Sequence, residues 1–250
     1  MVKKLLVVLG LSLIAGCDTE SQLPVLRIAS DATFAPFHLV DESGNPSGFD
    51  IELARALATH AGFVPEVMVL PYDDLFSGLV AKTHDVVAAT TGITPEREQV
   101  YLFTHPYFET CQVAVVRTGP GEPTKLSDLT GMRVGAGGAG TSMKAMQSIN
   151  AEHISLDEGQ GVPSLEAGLV DAWIVDEFDG VAAARESGGR LGVLPEPVAL
   201  EYYGFVLARD RQDLKLRLDQ SLAELEENGE IARLRAKFGV ERGPEWPVSW

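Results

Sequence analysis

Two periodicities alternate along the chain. Short β-rich runs predict strands at Val25–Ala29, Glu66–Val69, Asp85–Thr90, Gln112–Val116, Met132–Gly135, Ile154–Asp157, Asp171–Val175 and Leu191–Leu194. Between them, amphipathic segments predict helices at Phe49–Ala61, Tyr72–Lys82, Ser142–Asn150, Ser164–Gly168, Glu177–Glu186, Asp213–Asn228 and Ile231–Phe238. The first helix shows the logic. Leu53, Ala54, Leu57, Ala58 and Ala61 form an i, i+3, i+4 stripe, Asp50 and Glu52 sit in the first turn, and Gly62 follows the last. Strands alternating with helices predict an α/β fold with largely parallel sheets. After Leu194 no strand signal remains, so the two closing helices are expected to pack back on an earlier part of the molecule.

The first residues have another pattern. Lys3 and Lys4 precede an apolar run, Leu5–Ile14, that is too short to span a bilayer, which takes about 20 residues. A basic head, a short apolar middle and the small pair Ala15–Gly16 mark a secretory signal over residues 1–16. Leu13-Ile14-Ala15-Gly16-Cys17 resembles the bacterial lipobox. That resemblance implies a Cys17 that becomes the first mature residue and carries acyl chains such as palmitate, with residues 17–24 as a polar tether. Several acyl chains hold a protein firmly where one holds it marginally. Asp18 follows, a residue that in Gram-negative bacteria retains lipoproteins on the outer face of the inner membrane.

Charge narrows the partners. Loss of residues 1–16 removes two lysines and moves the net charge from -16 to -18, which leaves no basic stripe for nucleic acid. With Cys17 acylated, Cys111 in its apolar stretch is expected to be a buried thiol without a disulfide. The five histidines are scattered, with no i, i+4 pair and no cysteine companions, so neither metal nor cofactor is expected. The run Gly135-Ala136-Gly137-Gly138-Ala139-Gly140 fits G-x-G-x-x-G between a strand and a helix, with Asp157 and Glu158 about twenty residues on. In an exported chain this is better read as a glycine turn presenting N–H groups to a carboxylate than as a dinucleotide site.

Five blocks then occur in order: Arg27 to Phe37; Gly48-Phe49-Asp50-Ile51-Glu52-Leu53-Ala54-Arg55-Ala56-Leu57; Gly92-Ile93-Thr94-Pro95-Glu96-Arg97; Val134 to Ser142; and Asp171 to Asp176. Together they resemble the family 3 extracellular solute-binding proteins, polar amino-acid receptors of ABC importers, over about Val25 to Gly239. The resemblance implies a two-lobed periplasmic-binding-protein fold of the type II kind. Each lobe would be a mixed, mostly parallel sheet flanked by helices, with two crossover strands between them. The expected division is lobe 1 from residues 25–110 plus 203–250 and lobe 2 from residues 111–202. The implied partners are an amino acid, polar or basic favoured, a membrane permease, and the membrane itself through the lipid anchor. A monomer is expected.

The residue types suit that ligand. Arg97 offers a planar fork of donors to an α-carboxylate, and Thr141 adds a hydroxyl and the N–H groups of its helix start. Asp176 is the acceptor for the α-ammonium, while Thr90 and Gly92 follow a strand end and present hydroxyl and backbone. Phe34 and Tyr72 match positions that sandwich the ligand, and Asp31 a position that contacts its side chain; Phe37 reads as core. Gly92 departs from the serine common there in basic-amino-acid receptors. The duller alternatives are a surface-paired Arg97, Asp176 as a helix cap, Asp31 as a turn residue, and Phe34 and Tyr72 as packing residues. Two other functions share the resemblance. A cyclohexadienyl dehydratase would need a general acid in the cleft, with Asp31, Asp176 or Glu177 available. A ligand sensor would dock its closed form on a receptor.

Overall fold

The structure is a computed structural model that describes residues 23–137 and 140–240. The expected signal peptide over residues 1–16, the expected lipidation site Cys17, residues 18–22 of the expected tether, Gly138, Ala139 and residues 241–250 lie outside the described residues. From β1 (Val25–Ser30) the chain forms three short strands, β2 (Thr33–Phe34), β3 (His38–Val40) and β4 (Pro46–Ser47). Next come α1 (Phe49–His60), β5 (Val64–Val69), α2 (Tyr72–Ala81), β6 (Val86–Val87), α3 (Pro95–Glu98) and β7 (Leu102–Phe103). It crosses into β8 (Phe108–Arg117), β9 (Arg133–Gly137), α4 (Thr141–Met146), β10 (Glu152–Leu156), α5 (Gly161–Glu166), β11 (Ala172–Asp176), α6 (Glu177–Glu186) and β12 (Leu191–Val193). It returns through β13 (Ala199–Tyr203) to β14 (Val206–Leu207), α7 (Gln212–Glu227) and α8 (Glu230–Phe238).

These elements make two lobes, each built on its own sheet. The first sheet has the order β5-β1-β6-β14-β7, and the second β10-β9-β11-β8-β12 with β13 also paired to β8. Both are mixed. β1 runs parallel to β5 and β6, but β14 is antiparallel to β6 and β7. β9 runs parallel to β10 and β11, but β8 is antiparallel to β11, β12 and β13. Parallel pairing is therefore less dominant than the strand–helix alternation predicts. The reason is topological: the strands that enter and leave the second lobe run against its βαβ units.

The crossing strands are tied together. Phe108 to Gln112 of β8 pair with Ala199 to Tyr203 of β13, and Tyr107 N–H donates to Tyr203 C=O at 3.0 Å. β13 and β14 overturn the expectation of no strand after Leu194. The predicted strand Asp85–Thr90 is also shorter, because the chain leaves the ladder after Val87 and turns toward the cleft. The two closing helices do pack on an earlier element: α7 and α8 lie against α1, burying Leu214, Leu218, Leu222, Ile231 and Leu234 in the first-lobe core. Burying side chains of this size contributes about 1.5–3 kcal/mol each.

The start of α1 depends on glycine. Gly48 takes φ +116°, and a Cβ there would overlap the carbonyl oxygen of Phe37. That close approach lets Asp50 N–H donate to Phe37 C=O at 2.9 Å and fixes the helix against the β2–β3 turn. Phe37 itself is fully buried, with ring centroids of Phe108 at 5.1 Å and of Phe178, from α6 of the other lobe, at 4.8 Å. This aromatic cluster joins the lobes at the base of the cleft.

Candidate functional site

A cavity of about 240 Å³ opens between the sheets, and seven of the residues singled out from sequence line it: Phe34, Tyr72, Thr90, Gly92, Arg97, Thr141 and Asp176. They come from five separate stretches of chain, each delivered by a strand end or helix start. Asp31 is not in the lining. One of its carboxylate oxygens accepts from the Thr33 hydroxyl, and the other lies 3.2 Å from His38 Nδ1.

The first lobe supplies the donors. Past β6 the chain turns at Thr90, whose φ of +40° is rare for a threonine. Asp50 holds it there, accepting the Thr90 N–H at Oδ2 (2.6 Å) and the Tyr107 hydroxyl at the same oxygen (2.7 Å). The Thr90 hydroxyl lies 3.1 Å from Nε2 of buried His38. Burial lowers the His38 pKa, so the imidazole is neutral at pH 7. At the other end of the ring, Nδ1 lies 3.3 Å from Thr33 N and 3.2 Å from Asp31 Oδ1, so the imidazole links Asp31 to Thr90. Thr94 caps α3 by accepting Arg97 N–H, and the Arg97 guanidinium, reaching back from that short helix, donates from Nη1 to Gly92 C=O at 2.9 Å.

The second lobe supplies acids. Asp176 ends β11 and precedes α6; its Oδ1 accepts from the Tyr203 hydroxyl (3.0 Å) and from Gln112 Nε2 (3.0 Å). The same amide nitrogen donates to Glu201 Oε2 at 2.6 Å, and Ser142 donates to Gln112 Oε1 at 2.6 Å. Burial raises the Asp176 pKa, although the hydrogen bonds from Tyr203, Gln112 and Glu201 work against it. Burial first and the Asp176 charge second push Glu201 up to about 7, and the same two causes push Asp179 to about 6. Three carboxyl groups thus share a cleft in which Arg97 is the cation among the lining residues.

Gln112, Glu201 and Tyr203 were not anticipated from sequence. All three lie on the crossing strands, where no spacing rule marks them. Trp173, three residues before Asp176, points to the opposite face of β11 and packs on Gly161. At the mouth of the cleft, Lys144 of α4 donates to both carboxylate oxygens of Glu96 in α3, at 2.7 and 2.8 Å, and so spans the two lobes. Cys111 is buried, and its thiol faces Glu177 Oε2 at 3.7 Å.

Two sheets joined by paired crossing strands, with polar groups from both facing one cavity, define a two-lobed ligand-binding protein. The sequence profile of the bacterial extracellular solute-binding proteins, family 3, matches residues 26–241, and the chain belongs to that family. A curated relative is the L-cystine-binding protein TcyJ of Escherichia coli (strain K12), 26% identical over 94% of each chain. Among solved structures, an ancestral arginine-binding protein bound to arginine has a TM-score of 0.71 at 29% identity, covering 86% of this chain and 97% of its own. The ancestral amino acid-binding protein AncCDT-1, a precursor of cyclohexadienyl dehydratase, has a TM-score of 0.69 at 25% identity, covering 86% and 94%.

Proposed function

We propose that the chain captures a free amino acid, polar or basic, by closing its two lobes on it, and delivers it to the permease of an ABC importer. The observation that carries this reading is the gathering of Arg97, Thr141 and Asp176 around one cavity of amino-acid size. Arg97 and the Thr90 and Thr141 hydroxyls are donors for an α-carboxylate, and Asp176 is an acceptor for an α-ammonium. Contacts from both lobes exist together only in the closed form, so ligand shifts the population toward closure. The proposal includes residues 25–110 plus 203–250 and residues 111–202 as the moving lobes. It also includes export by residues 1–16 and a lipid anchor on Cys17 at the outer face of the inner membrane, where a tethered monomer meets its permease at raised effective concentration.

The test is a thermal-shift screen of the mature chain against the common amino acids and L-cystine, with binders raising the melting temperature in proportion to log concentration. Arg97→Ala should weaken the best binder by about 3 kcal/mol, or about a hundredfold. Unchanged affinity would overturn the site assignment. A second reading rests on Glu201, a carboxyl that still holds a proton near neutral pH inside the cleft and has the properties of a general acid. Incubation with prephenate separates the two readings, since phenylpyruvate formation would establish a dehydratase. A receptor gene beside this one in place of permease and ATPase genes would favour a sensor.

A further inference from the structure

Residues 91–93 and 202–204 are bound to each other as neighbouring strands. Ile93 N–H donates to Tyr202 C=O at 2.8 Å, Gly204 N–H donates to Thr91 C=O at 3.2 Å, and Gly92 bridges Tyr203 in antiparallel fashion. This pairing lays the Glu201 side chain over the α-carbon of Gly92. A Cβ at position 92 would overlap Glu201 Oε1, so the carboxyl occupies the volume that any other residue at 92 would fill. Gly92 has no positive φ to account for the glycine. Its role here is space.

The consequence is chemical. Glu201 Oε2 and Asp176 Oδ1 both accept from Gln112 Nε2, so the two carboxyl groups are neighbours on one side of the cleft. The amide nitrogen also lies 3.3 Å from Thr141 Oγ1, and it has two protons for these three acceptors. Tyr203 adds one hydroxyl donor to Asp176 and Thr141 one to Glu201, yet among the described residues no cationic side chain hydrogen-bonds either carboxyl. A primary ammonium brings three N–H donors and the positive charge that the pair lacks. A hydroxyl in the same place brings one donor and no charge.

We infer that Gly92 and Glu201 act as one specificity unit: the bare α-carbon admits the Glu201 carboxyl to the cleft wall, where with Asp176 it forms a two-carboxylate seat that selects ligands bearing a primary α-amino group. The inference rests on the reading of the cleft as an amino-acid site and goes beyond it by naming the group that is selected and the residue that selects it. Its chemical consequence is a preference for α-amino acids over α-hydroxy acids and N-acylated amino acids of the same side chain. The raised pKa of Glu201 fits a carboxyl waiting for a cation.

The experiment titrates the mature chain with the twenty common amino acids and L-cystine, then takes the tightest binder together with its α-hydroxy-acid analogue. Wild type should favour the amino acid strongly. Glu201→Gln keeps the shape and an acceptor for Gln112, and should narrow that preference at least tenfold, mainly by weakening the amino acid. Gly92→Ser should do the same by displacing Glu201. In the double variant Gly92→Ser with Glu201→Ala, the serine has room, and the amino-acid affinity should exceed that of Gly92→Ser alone. Such non-additivity is the mark of two residues acting through one contact. A Glu201→Gln protein with the wild-type ratio would overturn the inference and leave the amino-acid reading standing. Strictly additive effects at 92 and 201 would also overturn it. Failure of wild type to bind any of the probes would overturn the reading itself, and the inference with it.

Discussion

Asp50 offers the sharpest test of the electrostatics behind the cleft. Its side chain is fully buried, and burial pushes its pKa up to about 7, with hydrogen bonds from Thr90 N–H and the Tyr107 hydroxyl opposing the rise. Against the ordinary value of 3.8, the folded state binds a proton more tightly than the unfolded state does. The stabilisation this gives is complete below about pH 4 and is lost as pH rises toward and through 7. Between pH 5 and pH 8 the linkage relation puts the loss at about 2.5 kcal/mol, with a slope of at most about 1.4 kcal/mol per pH unit. Asp50→Asn removes the titration and keeps the shape. Both hydrogen bonds fall on Oδ2, so the asparagine carbonyl can accept both, while its NH₂ takes the place of Oδ1, which has no partner among the described residues. Two unpaired N–H groups there cost about 1–3 kcal/mol. The variant should therefore be less stable than wild type at pH 5 and gain on it by about 2.5 kcal/mol at pH 8. Urea unfolding followed by circular dichroism at pH 5, 6, 7 and 8 measures this. Glu201, Asp179 and the buried histidines titrate in both proteins and drop out of the difference. A difference constant to within about 0.5 kcal/mol across the range would refute the argument, because no proton would then be exchanged at Asp50.

Phe37→Ala should cost about 3–5 kcal/mol in the same assay, since the ring is wholly buried among aromatic neighbours from both lobes. Gly161→Ala places a Cβ inside the Trp173 indole and should destabilise by about 1–3 kcal/mol while shifting Trp173 emission; an unshifted spectrum would refute that packing. Seating an ammonium against Asp176 and Glu201 should expel a proton, because Glu201 with a pKa of about 7 is half protonated at neutrality. Affinity for the amino acid should then rise from pH 6 to pH 8, and the heat of binding should differ between phosphate and Tris buffers. Identical heats in the two would mean that no proton is released.

α1 was legible because its burial follows one stripe, and it differs from its prediction by a single residue. α6 runs over Glu177–Glu186 as predicted although only Gly180 is buried, whereas the short helices α4 and α5 are shifted by several residues at one end. Strands of two or three residues, such as Thr33–Phe34 and Pro46–Ser47, are too short for any alternation to register. β13 escaped for a more instructive reason. Its buried positions are Glu201 and Tyr203 and its exposed apolar residue is Leu200, so the pattern of Ala199–Tyr203 is inverted relative to an ordinary half-buried strand. The inversion exists because the inward face serves a polar cleft, and local rules fail where a site needs them to. Five of the seven lining residues (Phe34, Gly92, Arg97, Thr141 and Asp176) were accessible through motif blocks, whereas Tyr72 and Thr90 lie between blocks at a helix start and past a strand end. Gln112 and Glu201 were not accessible, because a lone amide and a lone acid on separate strands become a pair only when the strands lie together. Asp31 was placed by the same blocks but turns to His38, a partner visible only in three dimensions.

The order of the first sheet bears on how the molecule comes into being. β14 lies between β6 and β7, yet it is made more than a hundred residues after either. A chain appearing from its N-terminus therefore carries an incomplete first sheet, with the inner edges of β6 and β7 unfilled, throughout the synthesis of the second lobe. The second lobe, whose strands run without interruption from β8 to β13, has all its pairing partners in hand before the first lobe does. Only the arrival of Val206–Leu207 closes the older sheet, and α7 and α8 then cover α1. The lobe that begins first is the one that finishes last, and a chain cut short after Tyr203 would hold a complete second sheet beside an open one.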